Sequence, residues 1–334
     1  MSLCLPGISD EELLDERTAL FEADAFEWLA GAPENTFHAV VTDPPYGLVE
    51  YGSEDQRKLR EGRGGVWRIP PALDGVRRRP LPRFTVLTAA QRVELAQFFT
   101  ELGHALHRVC VPGAHVFLAS NPLLSTLVFG AFSTAGWEKR AEIVRLVQTL
   151  RGGDRPKGAE EEFADVTVMP RSAWEPWGLF RKPCEGTVAD NLRRWGTGAL
   201  RRPGAAAPFC DVIRCAPTHA RERALAPHPS LKPQRFLRQI VRAAVPVDSG
   251  LLLDPFAGSG STLAAAAHLG LPAVGIERDA AYVQLAREAF PALRDLVVSA
   301  ALPGQNHKAR VRGRAPGMER RTPSTGRGDE RDDD

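Results

Sequence analysis

Cysteine, tyrosine and methionine are scarce in this chain, and no strong charge of either sign marks it. Its 334 residues include 5 Cys, 3 Tyr and 3 Met, with a net charge of +2. The cysteines (Cys4, Cys110, Cys184, Cys210 and Cys215) are odd in number and scattered, which excludes a disulfide framework and points to reduced thiols in a cytoplasmic protein. No apolar run reaches the roughly 18–20 residues a membrane span needs. The start, Met1-Ser2-Leu3-Cys4-Leu5-Pro6-Gly7, lacks the basic flank and apolar core of a secretory signal, so no membrane partner is expected. A charge of +2 is too small to argue for nucleic acid on its own. Hydrophobic residues at 43% and charged residues at 25% exclude a mostly disordered or collagen-like chain, and no repeat period is visible.

The chain divides by composition. Residues 1–150 hold a strand from Ala19 to Asp24, a helix from Ala25 to Ala30 and an apolar strand His38-Ala39-Val40-Val41-Thr42 that stops at Asp43-Pro44-Pro45-Tyr46. Proline cannot donate to a ladder. Segment 48–85 has no periodicity and is rich in Gly, Pro and Arg, a long basic loop. From Ala90 to Val109 one apolar face predicts a helix that Pro112-Gly113 ends. A strand over His115–Ser120, a helix over Leu123–Phe132 and a strand over Ala141–Val147 follow. The pattern breaks over 151–227, where Trp, Arg, Gly and Pro dominate. It returns over 228–300 as a helix from Gln234 to Val245, a strand Leu251–Asp254, a helix Thr262–Leu269, a strand Ala273–Glu277 and a helix Ala280–Phe290. Residues 301–334 are nearly devoid of large apolar side chains and read as a disordered tail.

Two motifs carry chemistry. Leu253-Asp254-Pro255-Phe256-Ala257-Gly258-Ser259-Gly260-Ser261-Thr262 is a strand, a glycine turn and a helix start, with Glu277 ending the next strand where an acid takes a ribose hydroxyl pair. A dinucleotide fingerprint would need a third glycine where Leu263 stands, which disfavours an NAD(P) oxidoreductase. A phosphate loop would need a lysine beside Ser261 and Thr262. An adenosine ligand without a pyrophosphate remains, and S-adenosylmethionine fits, with Asp254 able to meet a cationic group.

The second motif is Asp43-Pro44-Pro45-Tyr46. An exocyclic amine of adenine or cytosine is a poor nucleophile because its lone pair is delocalised into the ring. To attack a methyl group it must pyramidalise, which requires acceptors for its two hydrogens. Asp43 can accept one and the Pro44 carbonyl the other, held by Pro45, because a residue before proline is restricted to extended conformations. Tyr46 offers a face for an extracted base. Acceptors fixed in advance stabilise the charge that develops on nitrogen.

Together the two motifs resemble those of the DNA amino-methyltransferases, which methylate N6 of adenine or N4 of cytosine. The order, catalytic motif before cofactor motif, is similar to that of the permuted β class. The resemblance covers about 18–147 and 228–290. It implies an α/β, Rossmann-like S-adenosylmethionine-dependent sheet in circularly permuted order, base flipping and direct SN2 transfer without a metal. Pro227-His228-Pro229-Ser230-Leu231-Lys232-Pro233 resembles the family's cofactor-flanking segment, and Asp24 matches the acid that faces the cofactor's adenine. The implied cofactor set is Asp24, His228, Lys232, Asp254, Phe256, Gly258, Gly260 and Glu277. The catalytic set is Asp43, Pro44, Pro45 and Tyr46. Asp at the first motif position, commoner in the family for adenine, leans the substrate to N6, with cytosine N4 as the alternative.

Residues 151–227 fall where the family carries its target-recognition region. Arg171, Trp174, Arg181, Lys182, Arg193 and Arg194 are expected there to meet DNA, arginines at phosphates and guanine edges and flat aromatics as wedges. The partner implied is double-stranded DNA, with a cognate restriction endonuclease and a monomer or homodimer left open. A non-catalytic DNA-binding protein on the same scaffold is the reading of another class. Pro183-Cys184-Glu185 resembles the nucleophile segment of cytosine-C5 enzymes, but it precedes the glycine turn, against that family's order.

Overall fold

A computed structural model describes residues 9–45, 87–147, 155–156, 158–170, 172–228, 230–247 and 249–298. Tyr46, Arg171, the basic loop 48–85 and the tail 301–334 lie outside the described residues.

The elements in chain order are β1 (Leu13–Asp15), β2 (Thr18–Glu22), α1 (Ala25–Gly31), β3 (Phe37–Thr42), α2 (Ala89–Val109), β4 (Cys110–Ala119), α3 (Ser125–Thr134), β5 (Glu138–Leu146), β6 (Trp174–Arg181), α4 (Val188–Trp195), β7 (Val212–Arg214), α5 (Ala220–Leu225), α6 (Gln234–Ala244), β8 (Leu252–Asp254), α7 (Ser261–His268), β9 (Ala273–Glu277) and α8 (Ala280–Arg294). Among the described residues the strands form one nine-stranded sheet in the order β1-β2-β9-β8-β3-β4-β6-β5-β7. From β2 to β4 every neighbour is parallel. β6 runs antiparallel to both β4 and β5.

Strand residues alternate between two apolar layers, as a pleat with both faces covered requires. Ala39, Val41, Leu252 and Ala273 join the side chains of α6, α7 and α8, including Phe236, Ile240, Leu263 and Phe290. Val40, Leu253 and Val274 join those of α1, α2 and α3, including Leu29, Phe99, Leu106 and Phe132. β8 is thus followed by α7 on one face and β9 on one side, while β3 is followed by α2 on the other face and β4 on the other side. Two adjacent strands whose crossovers diverge leave a crevice at their carboxyl ends, where open α/β sheets bind ligands. Both motifs end there.

Three sequence expectations shift. Pro112-Gly113 does not separate helix from strand: α2 passes directly into β4, and the pair is absorbed in a bulge where Phe37 faces Cys110 but Ala39 already faces His115. Gly113 takes φ +76° there, and its N–H bonds to the Lys182 carbonyl at 3.1 Å. β5 begins at Glu138 rather than Ala141 because β6 pairs with it from Arg181 onward. Finally, the stretch 151–227, where the pattern breaks, still contributes a strand: β6 lies inside the sheet and Trp177 is buried.

A Cβ at Gly275 of β9 would stand 2.6 Å from Leu263 Cδ1 and 3.0 Å from Ala257 Cβ, whereas at Gly130 of α3 it would meet nothing within 4 Å. Gly275→Ala is therefore expected to destabilise by about 1–3 kcal/mol and Gly130→Ala to stabilise by roughly 0.5–1 kcal/mol. Opposite shifts in thermal midpoint check both.

Candidate active site

β3 and β8 pair in parallel, Ala39 with Leu252 and Val40 with Leu253, so Thr42 and Asp254 reach the same edge. The Thr42 hydroxyl donates to Asp254 Oδ1 at 2.8 Å, joining residues 212 apart in the chain. Asp254 is buried, at 2% exposure. Burial pushes its carboxyl up to about 6, against hydrogen bonds from the Thr262 and Thr42 hydroxyls and the Phe256 N–H, and the negative Asp43 adds to the rise.

Asp43 follows Thr42 out of the strand, and its Oδ2 accepts from the ammonium of Lys232. Burial alone would discharge Lys232, but the carboxylates of Asp43 and Glu175 outweigh it and hold its pKa above the ordinary lysine value. Glu175 Oε1 lies 3.5 Å from Lys232 Nζ, and Oε2 lies 2.8 Å from Arg145 Nη1. Pro44 is buried and Pro45 exposed beside it.

The glycine turn is built for close approach. Gly258 and Gly260 take φ of +52° and +73°, conformations that favour glycine. A Cβ on Gly258 would lie 3.2 Å from the His228 ring, and one on Gly260 3.2 Å from Ala286 Cβ. Glu277 braces the turn: Oε2 accepts from Gly258 N–H at 2.9 Å and Oε1 from Asp279 N–H at 2.9 Å. His228 packs edge-on against Tyr282 with ring centroids 4.4 Å apart. Burial first, and Lys232 second, depress the His228 pKa to about 4, so the ring is neutral at pH 7. Its Nδ1 accepts from Ser230 N–H at 3.2 Å, which leaves the proton on Nε2. Asp24 caps α1, its Oδ1 accepting from Phe26 N–H at 2.9 Å, while Oδ2 lies 4.0 Å from Arg278. Phe256 stands 6.1 Å from Phe98, ring to ring.

The structure thus gathers Asp43, Lys232 and Asp254 at one edge and sets His228, Gly258, Gly260 and Glu277 around the turn beside it. It does not bring the expected DNA-contacting residues there as a group. Trp174 begins β6 on this edge, because Ala119 pairs with Trp177 and the strands run in opposite directions. Arg181 pairs with His115 instead, toward the amino end of β4. Its guanidinium is held by Glu138 at 2.6 Å and by the Gly198 carbonyl at 3.1 Å. Lys182 donates to the Cys110 carbonyl at 2.7 Å and to Asn35 at 3.2 Å. The helix bearing Arg193 and Arg194 packs at the same end, with Asn191 donating to the Pro112 carbonyl at 3.0 Å. These four cations therefore stand about a strand length, roughly 15 Å, from Asp43. Cys184 lies with them, beside Gly198. Sequence reasoning missed Thr42, Thr262, Tyr282, Arg145 and Glu175. Glu175 did leave a signal, as a lone acid in the apolar run Ala173-Trp174-Glu175-Pro176-Trp177.

Comparison with known proteins agrees with this geometry. The DNA methylase family profile, of the N6/N4 type, matches residues 157–288. Type II methyltransferase M.HindIII of Haemophilus influenzae is 24% identical over 287 residues, 78% of this chain and 91% of that protein. Type II methyltransferase M2.DpnII of Streptococcus pneumoniae is 34% identical over 82 residues, 25% of this chain and 30% of that protein. Among solved structures, the DNA modification methylase TTHA0409 of Thermus thermophilus, complexed with S-adenosyl-L-methionine, superposes with a TM-score of 0.51 at 20% identity, covering 83% of this chain and 94% of that one. PvuII DNA methyltransferase, cytosine-N4-specific, gives 0.52 at 13% identity, covering 85% and 88%. These last two likenesses are of fold.

Asp254 generates a pH prediction. Its folded pKa, about 6, stands above the ordinary 3.8, so the native state keeps this proton where the unfolded chain has lost it. The stabilisation is complete below pH 3.8 and is lost as pH rises through about 6. Urea unfolding should show wild type losing on the order of 3 kcal/mol between pH 4 and 7 relative to the change in Asp254→Asn; parallel pH curves would contradict the burial described. Two motifs joined on adjacent strands, a glycine turn braced by Glu277 and the profile matched over residues 157–288 converge: the chain is similar to the N6/N4 DNA methylases.

Proposed function

We propose that the protein methylates N6 of adenine in double-stranded DNA, with the crevice between β3 and β8 as its active site. The observation that carries this reading is the Thr42–Asp254 hydrogen bond, which fixes the two motifs in register with Asp43 one residue beyond.

The turn fits S-adenosylmethionine. A Cβ on Gly258 or Gly260 would crowd the His228 ring or Ala286, so the turn needs glycine there, and each Glu277 oxygen keeps a lone pair for a ribose hydroxyl while holding a backbone N–H. Gly258, Gly260, Glu277 and His228 would hold the nucleoside, with Phe256 and Asp24 toward the adenine, and the Asp254 carboxylate would meet the cationic end. When bound, this cofactor supplies an electrophilic methyl group on a sulfonium.

Asp43 accepts one hydrogen of the target amine and the Pro44 carbonyl the other, turning the nitrogen lone pair out of the ring plane. With the methyl group supplied by the bound cofactor, the amine nitrogen would act as the nucleophile, and the proton it gives up would pass to Asp43, the carboxylate already accepting it. A base within a duplex is out of reach, so the adenine is flipped at a cost of a few kcal/mol. Tyr46, whose sequence position follows Pro45, is the face on which it stacks. Trp174, on the same edge, is the DNA-facing aromatic in this reading. Arg181, Lys182, Arg193 and Arg194 take no part in it.

Incubation with DNA and S-adenosylmethionine, digestion to nucleosides and mass spectrometry should yield N6-methyldeoxyadenosine. N4-methyldeoxycytidine would transfer the reading to cytosine, and an unmethylated digest would favour a non-catalytic scaffold. Asp43→Asn should lower transfer roughly a hundredfold or more while cofactor binding persists; full activity in that variant would remove Asp43 from the chemistry.

A further inference from the structure

Beyond the residues assigned above, the sheet's carboxyl edge buries a row of four charges contributed by separate segments. Arg145 comes from β5, Glu175 from β6, Lys232 from the segment ahead of α6, and Asp43 from the end of β3. They alternate in sign. Arg145 Nη1 lies 2.8 Å from Glu175 Oε2, Glu175 Oε1 lies 3.5 Å from Lys232 Nζ, and Lys232 contacts Asp43 Oδ2. Side-chain exposures are 5% and 20% for Arg145 and Glu175, and 13% and 15% for Lys232 and Asp43.

Lys232 is therefore shared between two carboxylates. Its hold on Asp43 competes with the work proposed for Asp43, because the ammonium and the target amine both donate to the same carboxylate. Breaking that contact with nowhere else for the ammonium to go would strand a buried charge, which is costly. Glu175 supplies the other place. It sits on the same edge, since Trp177 of β6 pairs with Ala119 of β4 and Glu175 lies beyond that pair toward the carboxyl end. It is itself anchored, accepting from Trp177 Nε1 at 3.1 Å and from Arg145.

We propose that Glu175, backed by Arg145, is a positioning residue for methyl transfer: it takes up Lys232 as the target amine engages Asp43, leaving that carboxylate to the amine. This rests on the reading of Asp43 as the amine's acceptor. No group crosses a covalent bond in this step. One ammonium moves from one carboxylate toward another as a new N–H donor arrives. The charged and titratable groups facing Lys232 are Asp43, Glu175, Arg145 and His228, with Asp254 behind Asp43.

Glu175→Gln keeps the size and an acceptor for Trp177 but removes the charge. It is expected to lower kcat about ten- to hundredfold with KM for DNA and for S-adenosylmethionine within about twofold, and Glu175→Asp to recover most of kcat. A second readout needs no turnover. NMR titration of the Lys232 ammonium in the cofactor-free protein should fall by roughly one pH unit or more in Glu175→Gln. Wild-type kcat in Glu175→Gln, a loss confined to KM, equal losses in the Gln and Asp variants, or an unmoved Lys232 titration would each overturn the proposal. If Glu175→Gln does not fold, Glu175→Asp decides: near-wild-type kcat with a raised or unchanged Lys232 pKa supports it, and a kcat loss as large as that of Asp43→Asn overturns it. An Asp43→Asn variant with full activity would instead sink the underlying assignment of Asp43, whatever Lys232 does.

Discussion

A hydroxyl meeting a buried carboxylate across two strands governs this edge of the molecule. Thr42 and Asp254 come from segments 212 residues apart, and their 2.8 Å bond fixes the parallel pairing of β3 and β8 at its carboxyl end. Parallel strands cannot be joined by a tight turn, so a contact of this sequence separation depends on the long-range pairing of β3 with β8. The site is thus a product of topology. Divergent crossovers, α7 to one face and α2 to the other, open the crevice into which the next residues, Asp43 on one strand and Pro255-Phe256 on the other, must emerge.

Electrostatics at that edge follows from burial. Asp254 is raised toward neutrality by the loss of water, even with two hydroxyls and an N–H directed at it. Lys232 is kept charged only because two carboxylates face it. At His228 burial and Lys232 outweigh the upward pull of the Asp279 carboxylate, so it stays neutral. Three groups within one cluster are therefore held in three different protonation regimes by neighbours rather than by their own chemistry. The alternation Arg145, Glu175, Lys232, Asp43 limits the desolvation cost that any single buried ion would carry.

Much of this was legible in the sequence. The apolar run His38–Thr42 stopping at two prolines, and the run Leu251–Asp254 opening into glycines, marked the two strands and their ends. Glu277 was placed by spacing, and its carboxylate braces the glycine turn. What was not legible depends on partners distant in the chain. β6 contains Pro176 and Gly178, which read as breakers. In the sheet Gly178 is required because a Cβ would come within 2.8 Å of Phe129. Asp24, read as the acid that faces the cofactor's adenine, also caps α1: the capping bonds use one oxygen while the other turns toward Arg278.

The basic residues of 171–202 show most clearly why composition cannot locate a surface. Arg181 and Trp174 are seven positions apart on one strand, and a strand of that length separates them by about 20 Å. Trp174 therefore shares an edge with Asp43, whereas Arg181 is folded against Glu138 at the opposite end. Its guanidinium is mostly buried and bonded to a carboxylate and a carbonyl, so presenting it to a phosphate would first require breaking both. Lys182 is committed in the same way to the carbonyl of Cys110. A cluster that looks like one electropositive patch in sequence is thus divided by strand direction. One end closes the sheet with internal ion pairs, and the other is left to the chemistry of the crevice.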